Sequence, residues 1–195
     1  MHNKLRLNIT SGAWLASALM LLTLPLNWLL AAASAAFFHE FCHYLALRLC
    51  AVPVFQIEIS GTGARMSTAP MTLRQEFFCA LAGPIGGLFP LLFLRHIPRV
   101  AICAAVQSLF NLLPLFPLDG GRALNCLALR FLSPESALNL LKWVEFLCLG
   151  GIFFFALLAM LRYHLGLLPI IFAIILCIRS KNQKVPCKAA QLKVQ

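Results

Sequence analysis

Apolar runs dominate the chain, and its polar residues collect between them. From Ser11 to Cys50 the sequence is almost continuously apolar, about twice the ~20 residues that one membrane-spanning helix needs. Pro25 and Asn27 interrupt this stretch near its middle, which predicts two helices, over 11–24 and 27–49. The pattern then changes. Between Val52 and Pro70 stand Gln56, Glu58, Ser60, Thr62, Arg65, Ser67 and Thr68, and Phe55, Ile57 and Ile59 alternate with Val54, Gln56 and Glu58. A period of two is that of a strand. Gly61-Thr62-Gly63 supplies turn residues before a second short extended piece, so a β-hairpin is expected over 52–70.

Four more apolar runs follow, at 77–94, 100–118, 137–160 and 165–178, the last with Pro169 inside it. The expected fold class is an all-α membrane protein of six transmembrane helices, with a small membrane-associated β-hairpin between helices 2 and 3. Neither an internal repeat nor a second domain is visible, so 1–195 reads as a single polytopic domain. Residues 180–195 read as a short basic tail.

Composition excludes a soluble domain. Hydrophobic residues make up 61% of the 195 and charged residues 11%, against about 25% charged in soluble domains. The mean hydropathy is +0.87. Sixteen Lys and Arg stand against six Asp and Glu, but no basic stripe with interleaved aromatics suggests a nucleic-acid partner. The basic residues instead orient the chain. Six spans place Lys4, Arg6, Arg48, Arg65, Arg74, Arg122, Arg130, Lys142, Arg179, Lys181, Lys184, Lys188 and Lys193 on one side, and only Arg95, Arg99 and Arg162 on the other. That bias predicts cytoplasmic termini in a multi-pass, bacterial-type plasma membrane protein. The apolar stretch behind Met1–Arg6 is too long for a cleavable signal peptide. Cys79, Cys103, Cys148 and Cys177 lie inside apolar runs and no CxxC pair occurs, so the cysteines read as small buried hydrophobes.

Ionisable residues within a membrane span are costly and point to function. The second span contains His39-Glu40-Phe41-Cys42-His43, an HExxH motif. Spaced i and i+4, the two imidazoles project from one helical face and can grip one ion, while Glu40 is placed to take a proton from an attacking water. Zinc fits such a donor set, and catalytic zinc takes three protein ligands and leaves one position open. Asp119, the only aspartate, is the candidate third ligand. It closes the fourth apolar run in Asn111-Leu112-Leu113-Pro114-Leu115-Phe116-Pro117-Leu118-Asp119-Gly120-Gly121, where two prolines and two glycines break regular structure. The alternative is a helix-ending cap at the membrane surface.

HExxH in one membrane helix, followed by NxxPxxPLDGG and with Leu81-Ala82-Gly83-Pro84 between them, resembles the site-2 protease family of intramembrane zinc metalloproteases. The resemblance implies His39, His43 and Asp119 as zinc ligands and Glu40 as catalytic acid/base. It also implies that Asn111 holds the substrate or stabilises the oxyanion. Six spans without a PDZ-like insertion are most similar to the branch containing the sporulation protease that releases a membrane-tethered sigma factor. The chain departs from many relatives at Gly87, where they carry Asn.

The expected activity is hydrolysis of a peptide bond in or near the transmembrane segment of a membrane-tethered substrate. A membrane-embedded regulatory partner is a further candidate. Two rival readings are a metal transporter and a catalytically inactive scaffold. The hairpin either holds an unwound substrate by strand addition or plugs the membrane interface. Glu58, Glu76 and Glu145 read as solvated or paired, Glu145 through the i, i+3 spacing from Lys142. His2, His96 and His164 fall at chain ends or loops and read as incidental.

Overall fold

The computed structural model describes residues 6–12, 14, 18, 21–22, 25–60, 63–163 and 167–182. They divide into two compact units, Met1–Asn111 and Leu112–Gln195. Of the expected first span, the described residues Ser11, Gly12, Trp14, Ala18, Leu21 and Leu22 are helical; the rest of it lies outside the described residues, as do His2, His164 and residues 183–195 of the tail.

In the first unit, strand β1 covers Arg6–Ile9 and helix α1 covers Leu26–Leu49. Pro25 stands immediately before α1, where its missing N–H breaks nothing. Ala31, Ala35 and His39 are buried at intervals of four, so one face of α1 carries two small residues and then a histidine. Small residues let neighbouring helices approach closely, which is how helices pack where lipid surrounds them. The opposite faces expose Leu30, Phe37, Phe41, Leu45 and Leu49.

The end of α1 turns the chain into the sheet. Val52 N–H donates to Leu47 O at 2.9 Å and Ala51 N–H to Arg48 O at 3.1 Å, with Ala51 at φ 54°. This is a Schellman closure with alanine in the left-handed position that glycine usually fills. Leu47 and Val52 accordingly meet in one apolar cluster with Cys79, against which Val54 and Met66 also pack.

Strands β2 (Val54–Ser60) and β3 (Gly63–Thr68) form the expected antiparallel hairpin. Beyond expectation, β1 pairs in parallel with β2, giving the strand order β1-β2-β3. Only the short 6–9 stretch is involved, too brief for its pattern to stand out from a charged N-terminus. Glu58 sits opposite Arg65 across the hairpin, which fits the paired reading.

Helix α2 (Leu73–Gly87) starts with a capping box, Thr72 Oγ1 accepting from Gln75 N–H while the Gln75 side chain accepts from Thr72 N–H. Gln75 Nε2 also donates to Cys50 O at 3.2 Å. Its buried face, Glu76, Cys79, Ala80, Gly83, Pro84 and Gly87, follows the i, i+3, i+4 rhythm of an amphipathic helix. Burial of Glu76, at 8% exposure, excludes the solvated reading of that residue. A 3₁₀ turn at Phe89–Phe93 and a turn holding the exposed His96 lead to α3 (Pro98–Asn111). Helices α1, α2 and α3 pack on one another.

The second unit corrects two boundaries. The apolar run at 100–118 is not one helix. Its helix stops at Asn111, because Pro114 and Pro117 deny the following segment its backbone donors. Asp119 then begins helix α4 (Asp119–Phe131), an element whose Asp, Gly and Asn content hides it from a search for apolar runs. Helix α5 covers Pro134–Tyr163 and α6 covers Leu168–Asn182. Ser180 Oγ donates to the Glu145 carboxylate, so the described partner of Glu145 is Ser180 and not Lys142.

Among the described residues two helical stretches are long and apolar enough to cross a membrane, Leu73–Phe93 and Pro134–Arg162, with a shorter apolar helix at Pro169–Ile178. Helix α5 exposes Trp143, Phe146, Leu147, Phe154, Phe155 and Leu161, an apolar surface nearly all round that suits lipid and not water. The 14 residues of α3 rise only about 21 Å, short of a ~30 Å hydrocarbon core. The seven cysteines among the described residues are all free.

Candidate metal site

The first unit brings the two histidines of HExxH together. Helix α1 presents His39 and His43 one turn apart, and their Nε2 atoms stand 3.1 Å from each other. On the far side of its ring, His43 Nδ1 meets Cys79 O of α2 at 2.7 Å. A carbonyl can only accept, so Nδ1 carries the proton and Nε2 carries the lone pair. This is the arrangement by which metal-binding histidines are commonly held: the outer nitrogen donates to a fixed acceptor and the inner one faces the ion.

The spacing suits zinc. Ligand nitrogens at 2.0–2.1 Å in a tetrahedral shell stand about 3.3 Å apart, close to the observed separation. A lone pair directed at a second imidazole nitrogen at such range needs a proton or a cation between the two. His39 is 3% exposed, so bulk water has little access to its ring, whereas His43 is half-buried.

Glycine makes room for these rings. A Cβ on Gly83 would fall within the His43 imidazole, 2.5 Å from Cε1 and 2.6 Å from Cδ2. At Gly86 a Cβ would overlap Cys42 Sγ, and at Gly87 it would overlap Ser108 Oγ. The glycines of α2 thus let its backbone lie against the motif-bearing face of α1. In the sequence, Gly83-Pro84 and Gly87 stand out only through the resemblance, which gives Gly83 no role toward His43.

Asn111 ends α3, and its Nδ2 stands 3.5 Å from His39 Nε2. An amide at that position can donate to an oxygen held beside the histidines. Glu40, half-buried, follows His39 on α1. The first unit therefore gathers His39, His43 and Asn111, with Glu40 adjacent in sequence on the same helix.

Asp119 belongs to the second unit. It is 9% exposed and occupies the first turn of α4, where the helix dipole favours a carboxylate. Arg122, one turn on, approaches it at 3.8 Å. The preceding segment doubles back onto this turn. A Cβ on Gly120 would overlap Leu112 O, and one on Gly121 would come within 2.5 Å of Leu115 O. The Phe116–Pro117 bond is cis, and Leu118 N–H donates to Leu115 O at 2.8 Å. Pro-Leu-Asp-Gly-Gly thus folds as a tight loop that delivers its carboxylate at a helix start.

No family model matches the chain, and no curated protein matches it. Among solved structures it is similar to the site-2 protease from Methanocaldococcus jannaschii, with a TM-score of 0.61 at 14% identity, over 93% of this chain and 92% of that one. At this identity the similarity is one of fold: a helical chain with a small hairpin, arranged as in that protease. The chain has a site-2-protease-like fold.

Proposed function

We propose that this chain is an intramembrane zinc metalloprotease that hydrolyses a peptide bond in or near the transmembrane segment of a membrane-tethered protein. The observation that carries the reading is the convergence of His39 and His43 Nε2 at 3.1 Å, with the outer nitrogen of His43 committed to Cys79 O. The proposed ligands are His39, His43 and Asp119, each offering one donor atom. Asp119 follows Asn111 by eight residues, so the chain itself keeps it within about 28 Å of Asn111. Its burial in an otherwise apolar sequence, and its place in the loop that the HExxH resemblance leads one to seek, support its role.

When bound, zinc supplies Lewis acidity toward water and toward the scissile carbonyl. The remaining steps belong to the chain. Glu40 takes a proton from the attacking water as the C–O bond forms, then returns it to the leaving amine as the C–N bond breaks. The Asn111 amide donates to the substrate carbonyl oxygen and steadies its developing negative charge. A helical segment must unwind before hydrolysis, and β3, at one edge of the three-stranded sheet, offers backbone groups to which an unwound strand could pair. The reading keeps the six spans expected from the apolar runs, with both termini cytoplasmic as the distribution of basic residues predicts.

The decisive experiment co-expresses the chain with candidate single-span substrates and compares it with its Glu40→Gln variant, alongside zinc analysis of the purified protein. Cleavage that depends on Glu40, by a zinc-containing protein, is the expected result. Zinc without cleavage of any substrate would favour an inactive scaffold, and absence of zinc would end the metalloprotease reading.

A further inference from the structure

His39 and His43 are alike in type and differ in what stands beside their outer nitrogens. His43 Nδ1 has Cys79 O. His39 Nδ1 and the hydroxyl of Ser108, on α3, both lie close to Gly87. Ser108 is fully buried, at 0% exposure, and its hydroxyl has no hydrogen-bond partner among the described residues. A serine within a helix ordinarily bonds the carbonyl four residues back or points to water, and Ser108 does neither. A hydroxyl buried in this way calls for an explanation.

Gly87 supplies part of it. A Cβ there would overlap Ser108 Oγ and stand 3.5 Å from His39 Nδ1. The hydroxyl therefore takes the space that a side chain at residue 87 would fill, beside the ring nitrogen. Ser108 also lies one turn before Asn111, whose amide is 3.5 Å from His39 Nε2. One face of α3 thus presents a polar group toward each nitrogen of a single imidazole.

We propose that Ser108 is a positioning residue for His39, its Oγ accepting the Nδ1–H of the ring through one bridging water and so keeping the Nε2 lone pair turned inward. The inference rests on the metal-site reading above and deepens it: the two histidines are held by different acceptors, a backbone carbonyl for His43 and a side-chain hydroxyl for His39. Partners of this kind fix the tautomer and the orientation of a metal-binding ring, and their loss typically lowers metal affinity tenfold to hundredfold.

The test compares the full-length wild type with Ser108→Ala and with the exchanged pair Ser108→Ala/Gly87→Ser, purified in detergent. Zinc affinity is measured by competition with a chromophoric chelator. In parallel, ¹⁵N spectra of histidine-labelled, metal-free protein report which His39 nitrogen bears the proton. The expected result is an affinity loss of about tenfold or more in Ser108→Ala, with the His39 Nδ1–H tautomer no longer dominant. The exchanged pair should recover both, since a serine Cβ at position 87 stands 3.5 Å from His39 Nδ1 and 3.7 Å from the Cβ at 108. A small residue needed only for helix packing would yield neither the tautomer change nor the recovery. Unchanged affinity and an unchanged tautomer in Ser108→Ala, with a melting temperature equal to or above wild type, would overturn the proposal. A wild type that takes up no zinc would refute the metal reading, and the tautomer measurement would still decide the role of Ser108.

Discussion

Gly83 lies so close to His43 that a methyl group on its Cα would occupy the space of the imidazole ring. The helix carrying Gly83 also supplies Cys79 O, the acceptor for His43 Nδ1 at 2.7 Å. One turn of α2 therefore both orients the ring and limits how far it can move. Gly83→Ala should displace His43 and lower zinc affinity by about tenfold or more, as loss of an outer-shell partner does. Chelator competition on the purified variant checks this. Wild-type affinity in a folded Gly83→Ala protein would mean that the ring has another resting place.

Glu40→Gln tests proton transfer. The substitution keeps the size of the side chain and removes its basicity, so cleavage should fall by about 10²-fold or more while zinc content stays at the wild-type level. Turnover of a single-span substrate by purified protein is the measurement. Retained turnover would remove Glu40 from the mechanism.

Asp119 is separated from the histidines by the unit boundary after Asn111, so its role needs its own test. Asp119→Ala should lower zinc occupancy as well as activity, and Asp119→Asn, with a neutral oxygen donor, should fall between Ala and wild type. Metal content per protein distinguishes this from Glu40→Gln, which spares occupancy. Full zinc content and normal turnover in Asp119→Ala would reduce Asp119 to the first residue of α4 and nothing more.

The distribution of basic residues predicts topology. Reporter fusions at residue 97 and after residue 162 should read external, and fusions near 65 and 190 cytoplasmic. A cytoplasmic reading at 97 would break the six-span arrangement, since it would put Arg95 and Arg99 with the other thirteen basic residues and erase the asymmetry.

Local pattern and motif spacing determined much of this protein without any tertiary information. The apolar stretches and the alternation at 54–59 reflect periods of the backbone itself, and Gly61-Thr62-Gly63 are turn-favouring residue types, which is why the hairpin could be read directly. The i, i+4 spacing of His39 and His43 likewise guarantees a shared helix face once a helix is granted. Pro114 and Pro117 signalled a break in regular structure, because proline removes a donor wherever it stands, although the span was expected to reach 118 and its helix stops at Asn111.

Tertiary structure decided what the neighbours of those residues are. Nothing in the local pattern of Arg6–Ile9 shows that it will add a parallel strand to a hairpin some fifty residues away. Asp119 was expected at the end of a helix and stands at the start of one, since apolar content does not reveal an amphipathic helix that opens on Asp-Gly-Gly. Cys79 O and Ser108 Oγ carry no motif: a backbone carbonyl is present at every residue, and a lone serine is among the commonest side chains. Gly83 and Gly87 needed the packed helices to show their use, because the space a missing side chain leaves has meaning only when another residue's ring or hydroxyl comes to fill it.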